Sequence, residues 1–266
     1  MSNPRLPPEI LDHIIDLLHA NPETLKQCCL VSKSLIPRTR KHLFSNIKFD
    51  VGSPLEAWKK NFPDPANSPA YCTHSLAIGW GYLMSVTVVD AEEGGWIRTF
   101  ANVVQLELGT PPRYWRGEVA TLVPFHSFSS SLKSLRLVFV PAKLSQCFKL
   151  ICSLPLLEDL TIAHDDYDIS CDEDMSNFRP SVSPVLTGTL YLCELLEYTV
   201  PLLLDLPGGP HFREIVYKSE RLEDARWMTA LMERCRDTLE SVDITLLSFC
   251  ELHTFIRSLR WDQCLT

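Results

Sequence analysis

Eight times along this chain the pattern apolar-x-x-apolar-x-apolar recurs. The copies are Phe44-x-x-Ile47-x-Phe49, Thr73-x-x-Leu76-x-Ile78, Val103-x-x-Leu106-x-Leu108, Leu132-x-x-Leu135-x-Leu137, Leu157-x-x-Leu160-x-Ile162, Thr187-x-x-Leu190-x-Leu192, Phe212-x-x-Ile215-x-Tyr217 and Leu239-x-x-Val242-x-Ile244. Two of them begin with Thr in place of a hydrophobe. Their central residues lie 29, 30, 29, 25, 30, 25 and 27 positions apart. A period in this range marks one strand-containing unit per repeat. No such unit can bury its apolar face alone, so the units must stack on one another.

Between the strands the period changes. Leu144, Cys147/Phe148 and Ile151 follow helical spacing, as do Ala225, Met228, Leu231/Met232 and Cys235, and again Leu252, Phe255/Ile256 and Leu259. Strands of period two alternating with helices of period 3.6 predict an α/β fold of parallel strands with helices outside. The pattern predicts a leucine-rich-repeat solenoid over residues 45–266, with the sheet on its concave face. Side chains between the apolar positions of each strand point away from the core. That geometry nominates Gln105, Glu107, Arg136, Asp159, Thr161, Tyr191, Glu214 and Asp243 as the candidate target-binding face. The repeats run to a helix ending near Leu259; either Trp261–Thr266 closes the solenoid or the product is short at that end.

Residues 1–44 read differently. Leu6-Pro7-Pro8-Glu9 opens a helix, since proline suits a first turn and Glu9 complements the positive end of the dipole. Ile10, Leu11, Ile14, Ile15, Leu17 and Leu18 then cover an arc of roughly 160°, wider than one small helical core requires. Asn21-Pro22-Glu23 starts a second helix, with Asn as the cap and Pro at the first position. Ile36-Pro37 starts a third, which runs directly into the first strand. Three short helices bury little surface by themselves, so the module leans on a neighbour and leaves apolar surface for a partner.

Leu6-Pro7-x-Glu9-Ile10, the Ile14/Leu17/Leu18 run and Leu30-Val31-Ser32-Lys33 together resemble an F-box. The chain departs from the common pattern in carrying Leu35-Ile36 where many F-boxes place an aromatic. The stretches Ala91–Arg98, Leu186–Leu190, Leu202–Arg213 and Ala230–Glu240 resemble a large fungal family of F-box proteins with variable repeat bodies. The resemblance implies a substrate-recognition adaptor of an SCF-type ubiquitin ligase. Leu6, Pro7, Ile10, Ile14, Leu30 and Val31 would contact the Skp adaptor, and through it the cullin and RING subunits. The repeat body would hold an unidentified protein target. The other reading of the same pattern is a repeat scaffold acting outside a ligase, its N-terminal helices capping the first strand.

The remaining signals exclude more than they add. Net charge is −8, divided as +2 over residues 1–50 (seven Lys/Arg, five Asp/Glu) and −10 beyond (eighteen and twenty-eight). An acidic body lacks the basic face that nucleic acid requires. No apolar run is long enough to span a membrane, and Glu9 and Asp12 interrupt any secretory leader, so an intracellular site, cytoplasmic or nuclear, is expected. Ten cysteines without a CxxC read as free thiols of a reducing compartment. The acidic run His164-Asp165-Asp166-Tyr167-Asp168 with Asp172-Glu173-Asp174 lacks the Gly and closing Glu of a calcium loop and reads as a solvated loop. Gly79-Trp80-Gly81 has no third glycine for a phosphate cradle, and no Gly-x-Ser-x-Gly is present. No enzyme activity, cofactor or metal is expected.

Overall fold

The computed structural model describes residues 6–49, 54–79, 95–109, 122–140, 142–163, 184–193, 196–219 and 225–246. Three helices come first: α1 (Pro8–Leu17), α2 (Pro22–Val31) and α3 (Ile36–Leu43). Asn21 caps α2, its side chain accepting from the Thr24 N–H at 3.1 Å. The strands follow as β1 (Asn46–Phe49), β2 (Ser75–Gly79), β3 (Gln105–Gly109), β4 (Ser134–Val138), β5 (Asp159–Ala163), β6 (Thr189–Cys193), β7 (Glu214–Ser219) and β8 (Ser241–Leu246). Between them stand α4 (Pro54–Asn61), α5 (Gly95–Arg98), α6 (Leu144–Cys152), α7 (Leu196–Leu204) and α8 (Ala225–Arg234).

All eight strands form one parallel sheet in strict sequence order, each pairing with the next. This is the solenoid-like α/β architecture that the repeat requires. The apolar repeat positions stack in register: Leu76 beside Leu106, Leu106 beside Leu135, Leu135 beside Leu160, Leu160 beside Leu190. All of these are buried, in a core shared with Phe148, Ile151, Val200, Leu203, Met228 and Leu231 from the helices.

The repeats are also joined by a ladder just before each strand. The carbonyls of Ser45, His74, Val104, Lys133, Gly188 and Arg213 each accept two backbone N–H groups from the following repeat. These acceptors sit one residue before their strands, so the ladder repeats with the period of the sequence. The Glu158 carbonyl takes Gly188 N–H, while Thr189 N–H turns to the Asp159 carboxylate at 2.8 Å. Gly188 permits this, because a Cβ there would overlap that carboxylate.

The exceptional Thr73 has a physical reason. It is fully buried, and its hydroxyl donates to the Phe44 carbonyl at 2.9 Å. Ser131 and Thr238 make the same kind of bond, to Val103 and Phe212. Thr73→Val keeps the shape but removes the buried hydroxyl that serves the Phe44 carbonyl. It is expected to cost about 1–2 kcal/mol, measured by urea unfolding.

The stretches Leu202–Arg213 and Ala230–Glu240 meet as one joint. Gly209 has φ 72°, and a side chain there would overlap the Arg234 guanidinium. Arg234 donates to the Gly208 carbonyl at 3.1 Å, and Cys235 Sγ contacts the Pro210 carbonyl at 3.6 Å. The first repeat is filled by aromatics instead: Phe49 packs edge-on against Trp58, Trp96 and Phe100.

Candidate interaction surfaces

Each helix of the N-terminal module has one fully buried residue: Ile15 on α1, Leu25 on α2 and Thr39 on α3. An apolar side chain of this size contributes roughly 1.5–3 kcal/mol when fully buried, so the module has a minimal core. Of the rest of the apolar arc on α1, Leu11 and Leu18 are half-buried and the other three members face out. Ile10 is 47% exposed, Ile14 42% and Leu17 69%, and Leu6, just before the helix, is 56% exposed. At the end of α2, Leu30 and Val31 are 81% and 79% exposed. Pro7, which caps α1, is exposed as well. All six residues named from the sequence as the docking set therefore stand on the surface. Leu17 joins them; its i+3 spacing from Ile14 was the signal for it.

These exposures all fall within one small module. Single exposed apolar residues are ordinary, whereas several on one small module mark an interaction site. α1, which carries Ile10, Ile14 and Leu17, is tied to α3 by polar chemistry. Asp16 on α1 receives three bonds from α3: Arg38 Nε donates to Oδ1 at 2.6 Å, Arg38 Nη2 donates to Oδ2, and His42 Nε2 donates to Oδ1 at 2.7 Å. Arg38 and His42 are one helical turn apart, so both reach the same carboxylate. The side-chain hydrogen bond from Arg38 is the largest cause holding the Asp16 carboxyl well below the usual carboxylate range, and His42 adds to it.

Because the folded pKa is depressed, the clamp's contribution is fully present above the ordinary carboxylate value and is lost as pH falls through and below it. The melting temperature of the intact chain is expected to fall as pH drops below about 4, and Asp16→Asn should flatten part of that fall. A thermal melt series of both proteins measures the difference.

The second surface is the sheet face opposite the core. Strand register places the eight residues nominated from the sequence in two neighbouring rows. One contains Gln105, Asp159 and Glu214; the other contains Glu107, Arg136, Thr161, Tyr191 and Asp243. Gln105, Arg136 and Asp243 are exposed and the other five half-buried. Several already have internal partners. Arg136 pairs with Glu107 at 3.1 Å, and the Lys218 ammonium lies 5.5 Å from the centre of the Tyr191 ring. Glu214 accepts the Thr189 hydroxyl at 2.9 Å, and Asp159 serves the ladder described above. The sequence could not separate the engaged carboxylates Glu107, Asp159 and Glu214 from Asp243, because the distinction depends on contacts across strands.

Other chemistry is sparse. Among the described residues no group of three His, Cys, Asp or Glu side chains is arranged to hold a metal ion. The seven described cysteines are free thiols. Burial pushes Cys147 up to about 12 and Cys152 and Cys235 up to about 11, which keeps these thiols protonated and unreactive near neutrality. No described helix is long and apolar enough to cross a membrane. The acidic run 164–174, the Trp80-Gly81 pair and the helix predicted around Leu252–Leu259 lie outside the described residues. Compared with protein-family models, curated proteins and solved structures, the chain matches none.

Proposed function

We propose that this chain is the substrate-recognition adaptor of an SCF-type ubiquitin ligase. Its N-terminal helices act as an F-box that docks to the Skp adaptor, and its leucine-rich-repeat body holds a protein target. The observation that carries this reading is the exposed apolar set on the helical module. Leu6, Ile10, Ile14, Leu30 and Val31 are the positions the F-box resemblance assigns to Skp, and all are left uncovered while Ile15 and Leu25 turn inward.

The sheet face supports the second half of the reading. The eight nominated side chains, polar apart from the aromatic Tyr191, lie in two rows across β3 to β8, a surface of the kind repeat proteins use to bind other proteins. No chemistry on the ligase need come from this chain, whose part is to bind two proteins at once. Skp and the target should be recovered together when the tagged chain is purified from cells whose cullin ligases are inhibited. Recovery of a target without Skp would favour the scaffold reading instead.

A further inference from the structure

The Asp16 clamp ties together two parts that the proposed function needs to keep in register. On one side is α1, which presents Ile10, Ile14 and Leu17 and buries only Ile15 fully. On the other is α3, which leads straight into the sheet. Phe44, the residue after α3, packs edge-on against Trp58 and Phe62, and its carbonyl is held by Thr73. Ser45 then starts the inter-repeat ladder. Thus α3 belongs mechanically to the repeat body, while α1 has little apolar burial to fix it there.

We infer that Asp16, Arg38 and His42 are positioning residues, which hold the α1 docking face in one orientation relative to the repeat body. This rests on the docking reading for its purpose, though not for its geometry. A planar guanidinium taken by two carboxylate oxygens fixes direction as well as distance, unlike a single apolar contact. The nearby charged groups leave that bond in place: Asp12 also attracts Arg38, and the His19 ring lies 6.3 Å from that of His42. Neither Asp12 nor His19 is a clamp member. With the clamp broken, α1 samples several orientations, and only one of them suits both Skp and the target.

The test compares the full chain with Arg38→Ala, His42→Gln and the swapped pair Asp16→Arg/Arg38→Asp, by amide hydrogen exchange and by Skp affinity. In Arg38→Ala, exchange over residues 8–17 is expected to quicken about tenfold, while α2, α3 and the strands keep their protection. Skp affinity should fall about tenfold, as expected when the competent state becomes a minor one. His42→Gln should lie between Arg38→Ala and the parent, and the swapped pair should recover most of both effects. The inference is overturned if Arg38→Ala leaves α1 exchange unchanged, if α2 and α3 lose protection along with α1, or if the swapped pair restores neither readout. A parent chain that fails to bind Skp would sink the docking reading alone, since the exchange measurement does not involve Skp.

Discussion

Leu30→Gln/Val31→Gln is expected to weaken Skp binding by about a hundredfold while leaving the stability of the chain within about 0.5 kcal/mol of the parent. The two side chains are 81% and 79% exposed, so the isolated fold gains almost nothing from them. In a docked complex each would be buried. Losing two such burials removes about 3 kcal/mol or more, which is the stated factor in Kd. Glutamine is chosen over aspartate for a reason. Both positions lie in the last turn of α2, where a carboxylate would oppose the helix dipole and confuse a stability effect with a binding effect. Titration of Skp into parent and variant, beside urea curves for both, separates the two. Unchanged affinity would show that the end of α2 is not part of the docking face.

Leu135→Ala should produce the largest loss of stability, about 2–5 kcal/mol. Leu135 is fully buried on β4, flanked in register by Leu106 and Leu160. The change leaves a cavity in the middle of a stacked array. In such an array each unit is held only by its neighbours, so damage at the centre weakens the interfaces on both sides. The urea midpoint should fall, and protection should be lost first in β3, β4 and β5. Ser134→Ala, one residue away on the opposite face, should change stability by less than about 0.5 kcal/mol. Equal effects from the two would mean that the strand faces are assigned the wrong way round.

The repeat body was legible because its physics is periodic. A two-residue alternation fixes which strand face is inside, so Leu76, Leu106, Leu135, Leu160 and Leu190 could be placed in the core from spacing alone. α6 and α8 were legible for the same reason. α7 was not. Leu196, Thr199, Val200 and Leu203 have helical spacing and are buried, but Pro201 sits inside the helix and reads as a breaker. The short helical turns at Pro65–Asn67, Pro69–Cys72 and Val123–Phe128 were hidden in proline-containing connections without periodicity.

On the docking module, the wide apolar arc showed that some surface would be left over. It could not show that Ile15 turns in while Ile14 turns out, since both belong to the arc and the choice is made by tertiary packing. The clamp was equally invisible. Asp16 lies 22 and 26 positions from its partners, and nothing local in the sequence pairs them. The Gly208-Gly209 and Arg234 stretches stood out only as separate motifs; their shared joint exists because β7 and β8 bring them side by side.

The exposed helical face is proposed as a docking site for Skp, and calorimetric titration of purified Skp into the purified 266-residue chain measures that docking. A saturable one-to-one complex is expected, with a negative heat-capacity change from apolar burial that shrinks in Leu30→Gln/Val31→Gln. A folded chain that binds no Skp, or binds it equally well with both residues replaced, would rule out docking through this face.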